Sequence, residues 1–187
     1  MLILLAPLML GLAALVAATS SGGALYGHTR VGYNNRPFSC MKFRTMDANG
    51  DQILIDHLAR NPLARIEWEE TQKLKDDPRV TRVGGVLRKL SLDELPQLIN
   101  VVKGEMSLVG PRPVKADELL RYGRSQRHYL SARPGITGLW QVSGRNSTSY
   151  GRRVAFDRKY VTKRNDLTDV IILARTLPAA MRSSETS

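Results

Sequence analysis

The string Ser91-Leu92-Asp93-Glu94-Leu95-Pro96 sets two adjacent carboxylates at the start of an apolar-faced segment. Arg88 lies just upstream, Arg112 sits in a Gly-Pro-Arg-Pro turn, and Arg145 follows a glycine. One reading of the acidic pair is local. Ser91 with Glu94 three residues on is a capping box, each side chain bonding the other's backbone amide, and acids in a first turn complement the helix dipole. If Asp93 caps instead, Pro96 falls at the third helical position, where its missing amide costs little. The other reading is chemical. A carboxylate attacking an already anionic phosphorus meets repulsion of about 4 kcal/mol per unit charge at about 4 Å in an effective dielectric of about 20. Arginines offset that charge with forked donors for phosphate oxygens, and a divalent ion held by a neighbouring carboxylate neutralises a diphosphate and its departing group. An Asp nucleophile beside an acidic metal ligand suits such a task.

Other chemistry has weaker support. His28, His57 and His128 have no metal-ligand spacing with one another or with Cys40, and no phosphate-cradling Walker loop, dinucleotide glycine fingerprint or serine-nucleophile elbow occurs. Cys40 is the single cysteine, so no intramolecular disulfide framework forms and a reducing compartment is the simplest assignment.

The elements that must position these groups are legible in outline. Ala24–Tyr26 and Pro37–Phe43 read as extended pieces joined by a turn at Tyr33-Asn34-Asn35, a hairpin. Gln52–Lys75 carries a weak helical pattern interrupted at Asn61-Pro62, and Val83–Leu90 mixes apolar residues with Arg88 and Lys89. Leu95, Leu98, Ile99 and Val102 mark one face of a helix that stops before Gly104. Met106–Pro113 reads as a loop, Ala116–Leu130 as helical, and Arg133–Asn146 as a glycine-punctuated loop anchored by Leu139, Trp140 and Val142. Helical periodicity returns over Arg152–Met181, broken near Asn165 and at Pro178. The sum is an α/β domain, a small sheet with surrounding helices.

With 187 residues, 42% apolar and 24% charged, the chain has room for one folded domain and is neither collagenous nor disordered. Its net charge of +11 is uneven, because the stretch from Arg121 to Asn165 alone holds eleven Lys or Arg and one acid. Such a cationic face suits anionic lipid headgroups or phosphate-bearing substrates. A solvated basic surface is the plain alternative. A nucleic-acid groove is disfavoured, since no interleaved aromatics and no helix-turn-helix, zinc-finger or RNA-recognition signature accompany the charge. From Leu2 to Gly27 there is no charged residue or histidine, and Leu2–Ala18 is nearly all apolar. Seventeen helical residues reach about 26 Å, short of the roughly 30 Å hydrocarbon core, and Pro7 falls where a helix would bend. A membrane segment over residues 1–24 and a catalytic domain over 25–187 is the resulting division, with a signal peptide or a buried core helix as rivals for the first part.

Three strings carry a resemblance: KFRTM at Lys42–Met46, LRKLSLDELPQLINVVKGEMSLVGPRP at Leu87–Pro113 and RPGITGLWQVSGRN at Arg133–Asn146. Together they resemble the bacterial sugar transferases, monotopic polyprenyl-phosphate sugar-1-phosphate transferases, and Gly22–Met46 is most similar to the exopolysaccharide-type galactose-1-phosphate enzymes. The resemblance implies that Asp93 attacks the sugar-bearing phosphate of a UDP-sugar, releases UMP and holds a phosphosugar that undecaprenyl phosphate then takes. It further implies that Glu94, with Asp93, binds Mg2+, that Arg88, Arg112 and Arg145 hold phosphates, and that Lys42, Arg44 and Arg133 are further site residues or exposed strand charges. An N-terminal re-entrant helix bent at a Ser-Pro pair, interfacial amphipathic helices and residence on the cytosolic face of the bacterial inner membrane are also implied. Here the bend reads Ala6-Pro7, with six residues before the proline where the family has a longer lead-in, which reads as a truncation or a misassigned start. Galactose is the leading sugar, oligomeric state including a homo-oligomer is left open, and a catalytically inactive basic scaffold on the membrane surface is the alternative function.

Overall fold

The computed structural model describes residues 2–144 and 148–183. Helix α1 (Leu2–Thr19) runs through Pro7 and leads to an antiparallel hairpin, β1 (Leu25–Val31) and β2 (Pro37–Phe43). The expected hairpin is present with a longer first strand. Its link is the 3-10 turn Tyr33–Asn35, where Asn34 and Asn35 take positive φ, a conformation asparagine tolerates better than most residues. Helices α2 (Gly50–Arg60) and α3 (Pro62–Thr71) meet at Asn61, whose Oδ1 accepts from the Ala64 amide while Pro62 occupies the first helical position. In the same way Thr81 caps α4 (Arg82–Lys89), its hydroxyl accepting from the Gly84 amide at 2.9 Å.

The capping box expected at Ser91 and Glu94 does not form. Ser91 stands in the left-handed region with φ 56°, its side chain caps nothing, and Leu92–Glu94 continue as a 3-10 turn. The cause is tight chain reversal: α4 ends, the Ser91 amide donates to Arg88 O, and the carboxylate that the box would use lies on Lys42 instead. Helix α5 accordingly begins later than expected, at Gln97, and ends at Val102 before Gly104, whose φ is 74°. Its buried face also differs. Gln97, Leu98 and Asn100 turn inward while Val102 is exposed, because the helix packs on the polar edge of β2 as well as on apolar side chains.

Two segments expected to be loops contain regular structure. β3 (Ser107–Val109) pairs in parallel with β4 (Gly135–Thr137), and α8 (Leu139–Val142) follows. Strands of three residues are too short for alternation to register, so the pairing rests on contacts distant in sequence: the Ser107 amide donates to Pro134 O, Gly110 to Thr137 O and Gly135 to Pro111 O. The Pro-rich and Gly-rich strings are thereby threaded together. A Cβ on Gly135 would collide with the Gly110 amide, so only glycine lets the two backbones approach.

The expected helix over 116–130 is two helices, α6 (Ala116–Leu120) and α7 (Gln126–Leu130), parted at Gly123 with φ 49°. Helices α9 (Tyr150–Lys163) and α10 (Asp166–Ser183) flank Asn165 as expected, and Asn165 Oδ1 caps α10 by accepting from the Thr168 amide. Pro178 does not end α10, which carries it internally. The expected bend at Pro7 likewise falls inside one helix, and no helix among the described residues is long and apolar enough to cross a membrane.

Core packing joins these pieces through small clusters. Val16 of α1 packs with Phe43 of β2 and Leu87 of α4, joined by Leu92 and Leu95 from either side of Asp93. Phe38, Cys40 and Met106 seal the hairpin against β3, and Tyr129 donates from its hydroxyl to Val31 O at 2.7 Å, tying α7 to β1. Asn100, 1% exposed, is the polar clamp. Its Oδ1 accepts from the Met41 amide at 2.9 Å, and its Nδ2 donates to Ser39 O at 2.8 Å and Glu105 Oε2 at 2.6 Å.

Asn100→Leu strands the Met41 amide and the Ser39 carbonyl inside the protein, and is expected to lower unfolding stability in detergent by about 3 kcal/mol, while Val102→Ala costs under about 0.5 kcal/mol. Asp157, almost wholly buried, accepts from the Tyr122 hydroxyl at 2.8 Å. Burial pushes its carboxyl up to about 6, partly opposed by the Tyr122 bond and by Arg153. A folded value above the unfolded 3.8 means that this group's stabilisation is complete below that pH and lost as pH rises through about 6. Thermal melts between about pH 4 and 7 are expected to show this loss in the native chain and a flatter profile in Asp157→Asn.

Candidate active site

Asp93 occupies the 3-10 turn between α4 and α5, where Leu92 and Leu95 anchor the backbone in the core and the carboxylate is largely enclosed. Lys42, near the end of β2, reaches across from the hairpin. Its ammonium lies 2.7 Å from Glu94 Oε1 and 3.3 Å from Asp93 Oδ2, bridging the two carboxylates. Burial holds the Asp93 carboxyl above its ordinary value, with the Glu94 charge acting in the same sense, although Lys42 and Arg88 both pull it down. For Lys42, desolvation lowers the affinity for its proton, but Glu94 and Asp93 together outweigh it and the net shift is upward. The cluster is therefore an ammonium firmly protonated beside a carboxylate that ionises at some cost.

Arg88, in the last turn of α4, donates from Nε to Thr45 Oγ1 at 2.8 Å, which ties it to the KFRTM segment. Close backbone contact enforces that docking: a Cβ on Gly84 would collide with Thr45 O, and the Thr81 amide donates to the same oxygen. Arg112 is exposed after buried Pro111, its guanidinium 5.4 Å from the Trp140 ring centre, and its charge opposes protonation of Lys42. Lys42, Arg88, Asp93, Glu94 and Arg112 thus form one electrostatic neighbourhood.

The remaining candidates stand elsewhere. Arg44 donates to Gly23 O at 3.1 Å and lies over the Tyr26 ring, bracing the base of the hairpin instead of joining Asp93. Arg133 donates to Gly104 O at 2.8 Å beyond the C-terminal end of α5, whereas Asp93 precedes the N-terminal end. It lines a separate cavity of about 770 Å3 with Arg164, Tyr160 and Asp169. Alternation along β2 and proximity in sequence do not determine where such long side chains lead, so two of the motif's cations are structural or remote here. Arg145 lies outside the described residues. Sequence reasoning missed Thr45 and Asn100, though both sit within the quoted strings, and an asparagine on an apolar helix face was the available signal for the second.

Among the described residues no group of three or more His, Cys, Asp or Glu could hold a metal ion. Asp93 and Glu94 nonetheless both direct an oxygen at one cation, the Lys42 ammonium. Two carboxylate oxygens with remaining positions filled by water or phosphate is the donor set of a hard divalent ion that keeps most of its own ligands. The pair fits such an ion when a phosphate-bearing substrate completes the shell.

A buried Asp93 beside Glu94, bridged to it by Lys42 and with Arg88 close by, is an arrangement suited to meeting phosphate groups. The chain belongs to the bacterial sugar transferase family, which it matches over residues 1–183, and is a sugar transferase. It is 55% identical over 182 residues to the exopolysaccharide production protein ExoY of Sinorhizobium fredii, covering 97% of this chain and 80% of that protein. It is 52% identical over 182 residues to the undecaprenyl-phosphate galactose phosphotransferase of Salmonella typhimurium, covering 97% of this chain and 38% of that protein. Over 186 residues it is 39% identical to the UDP-glucose:undecaprenyl-phosphate glucose-1-phosphate transferase of Caulobacter vibrioides, covering 95% of this chain and 64% of the relative.

Because the folded Asp93 value lies above 3.8, its stabilisation is greatest below that pH and is lost as pH rises through the folded value. Asp93→Asn is therefore expected to melt no earlier than the native chain at pH about 7 by scanning calorimetry in detergent. Lys42→Met, which removes a cation that lowers the Asp93 value, is expected to melt earlier.

Proposed function

We propose that the chain transfers a sugar-1-phosphate from a UDP-sugar to polyprenyl phosphate through a covalent intermediate on Asp93. The observation that carries this reading is the desolvated Asp93 carboxylate held beside Glu94 by Lys42, with Arg88 close by. In the first step an Asp93 oxygen attacks the phosphorus bonded to the sugar, the bond from that phosphorus to the bridging oxygen breaks, and UMP departs with that oxygen. In the second an oxygen of polyprenyl phosphate attacks the same phosphorus, the Asp93 acyl phosphate bond breaks, and a polyprenyl diphosphate sugar leaves. Desolvation strengthens the nucleophile, and the Lys42, Arg88 and Arg112 charges offset the repulsion between carboxylate and diphosphate. Asp93 and Glu94 would hold Mg2+, which when bound neutralises the diphosphate and its leaving group. Arg145 would add a further phosphate contact.

The names of the Salmonella and Caulobacter relatives favour undecaprenyl phosphate as acceptor. Galactose is preferred as the sugar, as in the UDP-galactose-lipid carrier transferase of Erwinia amylovora, to which the chain is 52% identical over 167 residues, while the ExoY relatives favour exopolysaccharide assembly as the use. A monotopic seat on the cytosolic face of the inner membrane accords with α1 and with exposed Ile55, Leu63, Ile66 and Val86 on neighbouring helices, with anionic headgroups meeting the basic surface. Here α1, one helix through Pro7, would sit in one leaflet as a re-entrant segment without crossing the bilayer.

Detergent-solubilised protein given UDP-galactose, Mg2+ and undecaprenyl phosphate is expected to release UMP and form lipid-linked sugar, with UDP-glucose and UDP-N-acetylated sugars compared alongside. Asp93→Asn is expected to abolish both products, and Glu94→Gln to shift the Mg2+ titration to higher concentration. Turnover retained in Asp93→Asn rules out the covalent route, and an unchanged titration removes Glu94 from the ligands. Silence with every sugar, beside salt-sensitive liposome binding, supports an inactive membrane scaffold instead.

A further inference from the structure

We propose that Arg153 is a positioning residue for the phosphate site: it holds the Trp140 indole as the platform on which the Arg112 guanidinium rests. The inference builds on the reading of Arg112 as a phosphate-binding cation. Arg153, on α9, is 9% exposed, and its Nη1 donates to Glu118 Oε1 on α6 at 2.8 Å. Its guanidinium carbon lies 4.8 Å from the Trp140 ring centre and 5.4 Å from that of Tyr150. Arg112 lies 5.4 Å from the centre of the same Trp140 ring. One indole therefore carries two guanidinium groups, one buried and one exposed.

Such an arrangement is expensive unless it performs a task. Among the described residues Arg153 Nε and Nη2 and Trp140 Nε1 have no hydrogen-bond partner, although all three are sealed from solvent. A buried guanidinium with unmet N–H groups is a poor core filler, and apolar side chains of similar volume pack such a position at lower cost. What the guanidinium supplies is a flat cation that can lie on rings while its edge reaches Glu118, a geometry an ammonium cannot reproduce. Burial works against its charge, and the carboxylates of Glu118, 2.8 Å away, and Asp157 offset that cost. Arg112 connects this cluster to the nucleophile, since its charge acts on Asp157 on one side and on Lys42 on the other. Trp140, held by Arg153, limits where the exposed Arg112 side chain can rest, so less freedom is lost when Arg112 closes on a phosphate.

The chain has two tryptophans, so in a Trp68→Phe background emission reports Trp140 alone. Emission and UDP-sugar kinetics are measured for Arg112→Ala, Arg153→Gln, Arg153→Lys and the double variants. Arg112→Ala is expected to change Trp140 emission when Arg153 is present and to leave it nearly unchanged in either Arg153 variant. Arg153→Lys, which keeps the charge and the ion pair with Glu118, is expected to retain a cooperative melt yet raise KM for the UDP-sugar about three- to fivefold with a smaller change in kcat. An Arg112-dependent emission change of equal size in the Arg153→Lys background, or an unaltered KM in that variant, overturns the inference. Absence of any turnover in the native chain counts against the transferase reading itself, and the emission cycle still decides whether Arg153 supports Arg112.

Discussion

Two neighbouring carboxylates kept partly out of water are the constraint to which the rest of the molecule answers. Asp93 and Glu94 repel each other, and burial adds a cost to ionising Asp93 that its surroundings do not fully remove. Under the proposed covalent mechanism that residual cost is useful, because a poorly solvated carboxylate has less hydration to shed before it attacks. It must still be contained, and the Lys42 ammonium, 2.7 Å from one carboxylate and 3.3 Å from the other, contains it.

Bringing that ammonium to the turn requires a rigid hairpin, since Lys42 is fifty-one residues away from Asp93 along the chain. The Asn100 amide clamps β2 to α5 through the Ser39 carbonyl and the Met41 amide, one residue from Lys42. On the other side, the missing side chain of Gly84 lets α4 settle on the Thr45 backbone, which brings Arg88 to the Thr45 hydroxyl. The strained Ser91 between them completes the reversal, a left-handed residue held by the packing of Leu87, Leu92 and Leu95 around it. Because Val16 of α1 belongs to that same cluster, the apolar N-terminal helix and the Asp93 turn share one piece of core.

The fold was legible in the sequence wherever a local signal was strong. The hairpin turn at Tyr33–Asn35, the Asn61-Pro62 boundary and the break at Asn165 each follow from side chains that cap a helix or tolerate positive φ within a few residues. Where three-residue strands pair across about thirty positions, as β3 does with β4, no periodicity exists to be read. The capping box failed for a different reason: Ser91 and Glu94 have the right types and spacing, but an ammonium from another part of the chain competes for the carboxylate more strongly than a backbone amide does.

The site divides along the same line. Residue types and order by themselves determined the chemistry on offer, a paired carboxylate among cations, because carboxylates and guanidinium groups carry their charge and donor geometry wherever the chain takes them. Only the tertiary structure decided which cations face that pair. Long flexible side chains reach whatever partner the packing presents, so Lys42 and Arg88 converge on Asp93, Arg44 turns to the Gly23 carbonyl and Arg133 to that of Gly104, while Arg153, silent as a motif, is buried against the ring that supports Arg112.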